Sequence, residues 1–437
     1  MFTVLTSWSN KMMQRYLPDP FLFVILLTFV VFGFALIFTP TNPKDLITIW
    51  GESFWNLLTF SMQMVLILLT GYVLASSPLF KKALSFLASF ATSPGSAIIL
   101  VTLISLLASW INWGFGLVIG ALFAKELARQ VKGVDYRLLI ASAYSGFIIW
   151  HGGLAGSIPL TIATEGHFST DLIGIIPTSE TIFSSFNLFI ILAIVIILPI
   201  VNRLMYNKDQ SFTIDPALLD EAPPIAATSS TSPADKMENS FVLSMLIGGL
   251  GLLFVVIYFS ANGFELNLNI VNFAFLFLGI LFHGRPKNFL ASVNNAVKGS
   301  SGIIIQFPFY AGIMGMMVSS GLAEKMSSWF VSFSTELTFP LFTFISAGII
   351  NFFVPSGGGQ WAVQAPIMLP AGAELGIKPS VTAMAVAWGD AWTNLIQPFW
   401  ALPALAIAGL KAKDIMGFCL INLFVTGVII GVAFIFV

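Results

Sequence analysis

The chain has 437 residues, of which 57% are hydrophobic and 9% charged, with a formal net charge of -1. Its 19 Lys and Arg and 20 Asp and Glu fall far short of the roughly 25% charged residues of a soluble domain, so a water-soluble body is excluded. The near-neutral balance gives no reason to expect nucleic-acid binding.

The 43 Phe and the long unbroken apolar runs also exclude a β-barrel, whose strands alternate in polarity over about 10 residues. What remains is an all-α polytopic membrane protein. Cys419 is the only cysteine, so neither a disulfide framework nor a cysteine-rich metal site is expected.

From the N-terminus, Lys11 and Arg15 lead through Pro18-Asp19-Pro20 into an apolar run at 21–39. That run is too long for the core of a cleavable signal, and none is expected. A helical span needs about 20 apolar residues. Further crossings are predicted at 57–76, 180–201, 241–260 and 415–437, with shorter ones at 270–282 and 300–320. Two stretches, 96–124 and 138–163, are interrupted by polar residues and glycine, and each has a later counterpart, at 339–366 and 382–408. Reading 96–124 and 339–366 as re-entrant hairpins leaves only Lys44, Lys325 and Lys378 of the 19 cations outside, as the positive-inside rule requires. The predicted topology has nine crossings and two hairpins, with the N-terminus inside and the C-terminus outside. Residues 207–239 form one hydrophilic stretch, read as a flexible cytoplasmic linker.

The parts on either side of the linker repeat. Trp110-Ile111-Asn112-Trp113 matches Ile349-Ile350-Asn351-Phe352 at an offset of 239, which also takes His151 onto Asp390 and Pro159 onto Pro398. Upstream, Gln63 matches Gln306, Ser76-Ser77-Pro78-Leu79 matches Ser319-Ser320-Gly321-Leu322, and Lys82 matches Lys325. The Gln63 helix runs towards the cation-rich face and the Gln306 helix away from it, so the repeats are inverted. Residues 1–206 form the first repeat; residues 240–437 supply the extra crossing that flips the second, and the second repeat itself. Inverted repeats with paired broken helices mark secondary transporters, which bind cargo between the breaks near mid-membrane. The amphipathic segments 79–92 and 322–337 suit arms lying in the interface plane; ordinary loops with apolar anchors are the alternative.

The candidate site follows from the interruptions. One hairpin tip carries Asn112, Gly114 and Gly116; the other carries Asn351 and the run Ser356, Gly357, Gly358, Gly359 and Gln360. Glycines opening a helix present free N–H groups and the positive end of the helix dipole, which suits a carboxylate. The alternative is a tight turn needing only glycine flexibility. Asp390, Asn394 and Gln397 lie at i, i+4 and i+7, on one helix face before the break expected at Pro398. Asp390 is the one carboxylate placed clearly inside a span, where an ionisable residue marks an ion or proton pathway by default. His151, its repeat mate, is followed by Ser157 and Pro159, and a structural hydrogen bond is an equal alternative for it. Gln63 and Gln306 read equally as packing groups. No Lys or Arg lies within a span, so an anionic cargo needs neutral donors or a co-transported proton or cation. No HExxH, nucleophile elbow or phosphate loop is present, so neither an enzymatic activity nor a resident cofactor is expected.

The motifs Arg15–Pro20, Asn112–Leu117, Gln306–Gly312, Asn351–Trp361 and Gln397–Pro403 together resemble the bacterial short-chain fatty acid transporter family, over essentially the whole chain. The resemblance implies an inner-membrane permease for acetoacetate, butyrate or similar monocarboxylates. That family is similar to a wider ion-transporter superfamily, whose members are often homodimers working by an elevator motion. By that analogy the tips at Asn112 and Asn351 bind the cargo carboxylate and a coupling cation such as sodium. His151 departs from the glycine more usual after the Trp, which weakens an essential role for it. An anion channel, a membrane-embedded enzyme and a carrier of other carboxylates are the competing readings.

Overall fold

The computed structural model describes residues 20–214, 219, 232–298, 300–351, 354 and 356–437. Most of the Arg15–Pro20 motif, part of the second hairpin tip and about half of the expected linker therefore lie outside the described residues. From the linker region, Pro233–Glu238 forms a short helix capped by Ser232.

The described chain is helical, with no strand. The first repeat comprises α1 (Pro20–Phe38), α2 (Pro43–Ser53), α3 (Leu58–Ala75), α4 (Pro78–Ala88), the hairpin α5 (Pro94–Ile111) and α6 (Trp113–Gln130), then α7 (Tyr136–Ser145), α8 (Ser157–Ile162) and α9 (Ser185–Leu204). The extra crossing is α10 (Phe241–Asn262). The second repeat runs through α11 (Leu268–His283), α12 (Pro286–Val297), α13 (Ser301–Ser319), α14 (Leu322–Phe333), the hairpin α15 (Phe339–Ile350) and α16 (Gly357–Glu374), α17 (Pro379–Asn394), α18 (Pro398–Ala408) and α19 (Ala412–Ile435). Seven described segments are long and apolar enough to cross a membrane, and Val24–Phe38, Leu268–His283 and Phe339–Ile350 are shorter apolar helices. Phe29, Leu246, Leu250, Val256, Phe424 and Val428 face outwards, as lipid-facing side chains do.

Three features beyond the sequence reading have physical causes. The first broken helix opens upstream of Pro159. It tightens to a 3-10 helix at Gly146–Gly152 and then unwinds over residues 153–156. Pro159 lies in the first turn of α8, where backbone N–H groups lack intrahelical partners anyway. The second break occupies residues 395–397, so Gln397 caps α18 instead of extending the Asp390 face of α17. Finally, α2 and α12 were not foreseen; each begins with Pro at its first position and is too short and polar to read as a span. The two amphipathic segments are helical, as α4 and α14.

Antiparallel placement of the repeats is visible at both ends of α3. Ser76, just past its C-terminus, shares a hydrogen bond of 2.7 Å with Ser292 of α12, the helix leading into α13. At the other end, a Cβ on Gly312 of α13 would lie 2.6 Å from Trp50 of α2, the helix leading into α3. So α3 starts where α13 ends. Cross-repeat contacts are reciprocal as well: α6 packs on α18, and its counterpart α16 packs on α8. Such reciprocity is the mark of an approximate two-fold axis. The cation-rich ends gather at one face, where Ser85 donates to Glu126, Arg129 pairs with Glu126, and Arg203 approaches Gly95.

Candidate functional site

The broken helices meet at the centre of the molecule. The 3-10 segment has three residues per turn, so residues at i and i+3 eclipse. Tyr144, Phe147 and Trp150 therefore stack in sequence, and the His151 ring lies 4.0 Å from the Trp150 ring at an interplanar angle of 14°. This stack holds the imidazole edge-on between the repeats.

His151 Nδ1 lies 3.0 Å from Asp390 Oδ2, both side chains being fully buried. Its Nε2 accepts the Ile158 N–H at 3.1 Å and lies 3.0 Å from the Ser157 hydroxyl. A backbone N–H can only donate, so Nε2 carries no proton here and the ring proton sits on Nδ1, facing the carboxylate. Asp390 Oδ2 is thereby an acceptor, and Asp390 Oδ1 is buried with no partner.

Around this pair the second break is tied down by amides. Asn351 Nδ2 donates to the Asp390 carbonyl and to Thr393 Oγ1, both at 2.9 Å, and Gln397 Nε2 donates to the Asn351 carbonyl. Trp150 Nε1 donates to Asn394 Oδ1 at 3.0 Å, and the Tyr144 hydroxyl donates to the Asn394 carbonyl at 2.6 Å. Both N–H groups of Asn351 and one of Gln397 are thus used, while Asn351 Oδ1 and Gln397 Oε1, and the donor Asn394 Nδ2, are buried without partners. Together with Asp390 Oδ1 the two amide oxygens form a set of unused oxygens linked through shared hydrogen bonds. Oxygen acceptors without donors suit a small hard cation.

The second hairpin tip lies directly on this network. Ser356 caps α16, its Oγ accepting the Gly359 N–H at 3.4 Å. A Cβ on Gly357 would lie 2.5 Å from His151 Cε1 and 2.6 Å from Ser157 Oγ; one on Gly358 would lie 2.5 Å from Phe60 Cζ; one on Gly359 would lie 2.6 Å from Tyr310. Each glycine lets the start of α16 approach a different neighbour. Ser157, Ser356, Gly357, Gly358 and Gln306 supply the polar wall of a small cavity, and Trp113, Trp150, Trp400, Met64 and Phe307 its apolar wall. Its volume is about 30 Å³, room for a single water, so the site is closed around its own side chains in this conformation.

The structure thus brings together His151, Ser157, Asp390, Ser356, Gly357 and Gly358, with Asn351, Asn394 and Gln397 fixing the break beside them. The remaining candidates are placed differently. Asn112 Oδ1 accepts the Phe115 N–H and caps α6, leaving its Nδ2 buried and unpartnered. Gly114 packs on the Leu68 backbone and Gly116 on Ser109, which makes both close-approach positions of the first hairpin. Gln360 donates to the Ala347 carbonyl and to Gln364, within its own hairpin. The aromatic wall was missed: Trp113, Trp150 and Trp400 each flank an interruption in the sequence, and that adjacency was the available signal.

The family model for short chain fatty acid transporters matches residues 1–437. A relative in Escherichia coli (strain K12), provisionally named a short-chain fatty acid transporter, is 45% identical over 428 residues, covering 97% of each chain. One from Haemophilus influenzae (strain ATCC 51907 / DSM 11121 / KW20 / Rd), with the same provisional name, is 46% identical over 446 residues, covering 99% of this chain and 100% of its own. Among solved structures, the YdaH transporter of Alcanivorax borkumensis shares the fold, with a TM-score of 0.56 at 16% identity over 95% of this chain and 98% of that one.

Proposed function

Because this chain belongs to the short-chain fatty acid transporter family, we propose that it moves small monocarboxylates such as acetoacetate or butyrate across the cytoplasmic membrane, coupled to a cation. The chain is a membrane transporter, not an enzyme. Its cation-rich ends face the cytoplasm in this reading, with the N-terminus inside and the C-terminus in the periplasm.

The observation that carries the reading is the two-sided cavity at the start of α16. A carboxylate of the cargo would meet the first-turn N–H groups of Gly357 and Gly358, at the positive end of a helix dipole and beside Ser157. A short alkyl chain would lie against Trp113, Trp150 and Met64. The cavity wall contains no Lys or Arg, so the cargo charge has no fixed counter-ion and requires a mobile one.

The unused oxygens of Asp390, Asn351 and Gln397 supply a place for that ion beside the cargo. Amide oxygens do not take up protons near neutral pH, so the buried oxygens of Asn351 and Gln397 favour sodium over a proton. Transport then requires the hairpins and broken helices, α5–α8 and α15–α18, to shift against α3 and α13 as an elevator.

Uptake of butyrate and acetoacetate into proteoliposomes, under separately imposed sodium and proton gradients, tests both parts. Accumulation driven by sodium is expected. Accumulation driven only by protons would return the coupling to Asp390 alone, and no uptake under either gradient would refute the carrier reading.

A further inference from the structure

A second cavity, of about 250 Å³, lies on the opposite side of Phe60 from the cargo site. Its polar wall includes Asn56, Gln63, Thr164, Glu165 and His167, and it lies at the face where α3 begins, away from the Lys81 and Lys82 end. Phe60 lines this larger cavity, while its ring edge occupies the space beside Gly358, in the wall of the smaller one. The ring packs at 5.6 Å against both Phe168 and Phe307.

Two ladders connect the cavities. Asn56, in the turn just before α3, and Phe60 and Met64 on it are spaced by four residues; Asn56 lines the larger cavity and Met64 the smaller. On α8, Thr161 lines the larger cavity and donates to the carbonyl of Ser157, whose side chain lines the smaller. Phe60 and Phe307 are the apolar plug between the ladders. Ile303, the counterpart of Phe60 under the Gln63–Gln306 match, is a smaller residue in the wall of the cargo cavity.

We propose that the 250 Å³ cavity is the antechamber through which a hydrated carboxylate and its cation reach the site, and that Phe60 is the gate between them. The proposal rests on the carrier reading for the identity of the cargo. Its polar groups, Gln63 and Glu165 among them, replace part of the hydration shell before the cargo meets the aromatic plug. Turning the Phe60 ring away from Phe307 and Gly358 joins the two cavities.

The test uses thiol labelling of the full-length protein in membranes, in a Cys419→Ala background that removes the only cysteine. Asn56→Cys reports the antechamber and Met64→Cys the cargo side of the gate. With a membrane-impermeant methanethiosulfonate applied from the antechamber face, Asn56→Cys should react quickly with or without Phe60→Ala. Met64→Cys should react slowly, and at least tenfold faster when combined with Phe60→Ala; Phe60→Leu, which keeps an apolar plug, should give an intermediate rate and covers a failure of the Ala variant to fold. A Met64→Cys rate unmoved by both Phe60 variants, or an Asn56→Cys rate as slow as that of Met64→Cys, overturns the gate. Butyrate should protect the opened Met64→Cys; opening without protection supports the gate and overturns the short-chain carboxylate reading instead.

Discussion

Asn112 and Asn351 occupy matching positions in the two repeats, yet they leave opposite ends of their amides unused. Asn112 spends its oxygen on the Phe115 N–H and keeps a buried donor; Asn351 spends its donor on Asp390 and Thr393 and keeps a buried oxygen. Each orientation is fixed by a partner that can play only one role, a backbone N–H in the first case and a backbone carbonyl in the second. The two hairpin tips are therefore chemically unlike among their described residues, the first keeping a buried donor and the second a buried oxygen.

Replacing Asn351 by Ala removes one oxygen from that cluster while leaving the cavity wall untouched. The sodium concentration for half-maximal uptake should rise at least tenfold, equivalent to about 1.4 kcal/mol of binding, with a smaller change in the half-saturating butyrate concentration. An unchanged sodium dependence in proteoliposomes would remove Asn351 from the ion site.

Asp390→Asn retains an oxygen to accept the His151 Nδ1–H and so should preserve the fold. It deletes the charge that a coupling ion requires. Gradient-driven accumulation should be lost while exchange of labelled for unlabelled butyrate survives. Full accumulation by the variant would reduce Asp390 to a packing hydrogen-bonder.

Gly357 has no room for a methyl group, since its Cβ would overlap His151 and Ser157. Gly357→Ala should lower uptake at least tenfold at unchanged expression, whereas Gly249→Ala, on a face with nothing within 4 Å, should transport as the parent does. Equal uptake by the two variants would show that the start of α16 tolerates displacement and does not contact cargo.

His151→Gly leaves the Ile158 N–H and Asp390 Oδ2 without the partners they have here. A buried group stranded in this way costs about 1–3 kcal/mol, so the melting temperature in detergent should fall clearly. Substrate uptake should persist, because the imidazole braces the break and does not line the cavity. Loss of uptake at unaltered thermal stability would assign His151 to the cargo instead.

His167, in the loop after α8, is a pH-sensitive brace outside the spans. Its Nε2 bonds the Gly174 carbonyl at 2.9 Å and its Nδ1 accepts the Ser169 N–H, while burial holds the imidazole below the usual histidine range. A histidine depressed on folding stabilises fully above its unfolded value and loses that contribution as pH falls through the folded one. Hydrogen-exchange protection over residues 166–174, taken relative to the intrinsic rate at each pH, should therefore fall on acidification, and His167→Gln should flatten the response. Protection independent of pH in the parent protein would exclude the brace.

The spans were legible because an uninterrupted apolar run of sufficient length has one stable solution in a bilayer. The second hairpin tip was legible because Ser356 and three glycines at membrane depth need a reason. Other features required three-dimensional information. A proline such as Pro159 reads as a helix breaker, but it is harmless in a first turn, so the true break upstream was hidden among ordinary residues of the 3-10 segment. Trp113, Trp150 and Trp400 could each have belonged to an interfacial aromatic belt. Only the crossing of the broken helices makes them one wall. The roles of Asn112 and Asn351 turn on which amide end finds a partner, and spacing carries no record of that.

The bond between His151 and Asp390 joins residues 239 apart, the offset of the repeat, so the position meets its own counterpart near the two-fold axis. Two identical half-length chains assembled about that axis could not have made it: they would have set imidazole against imidazole or carboxylate against carboxylate. An imidazole N–H facing a carboxylate at a self-contact requires two copies free to differ. The pairing at the centre of the molecule thus belongs to the fused chain alone, and any half-length ancestor that dimerised must have closed this point with a residue able to bond to itself, or with none.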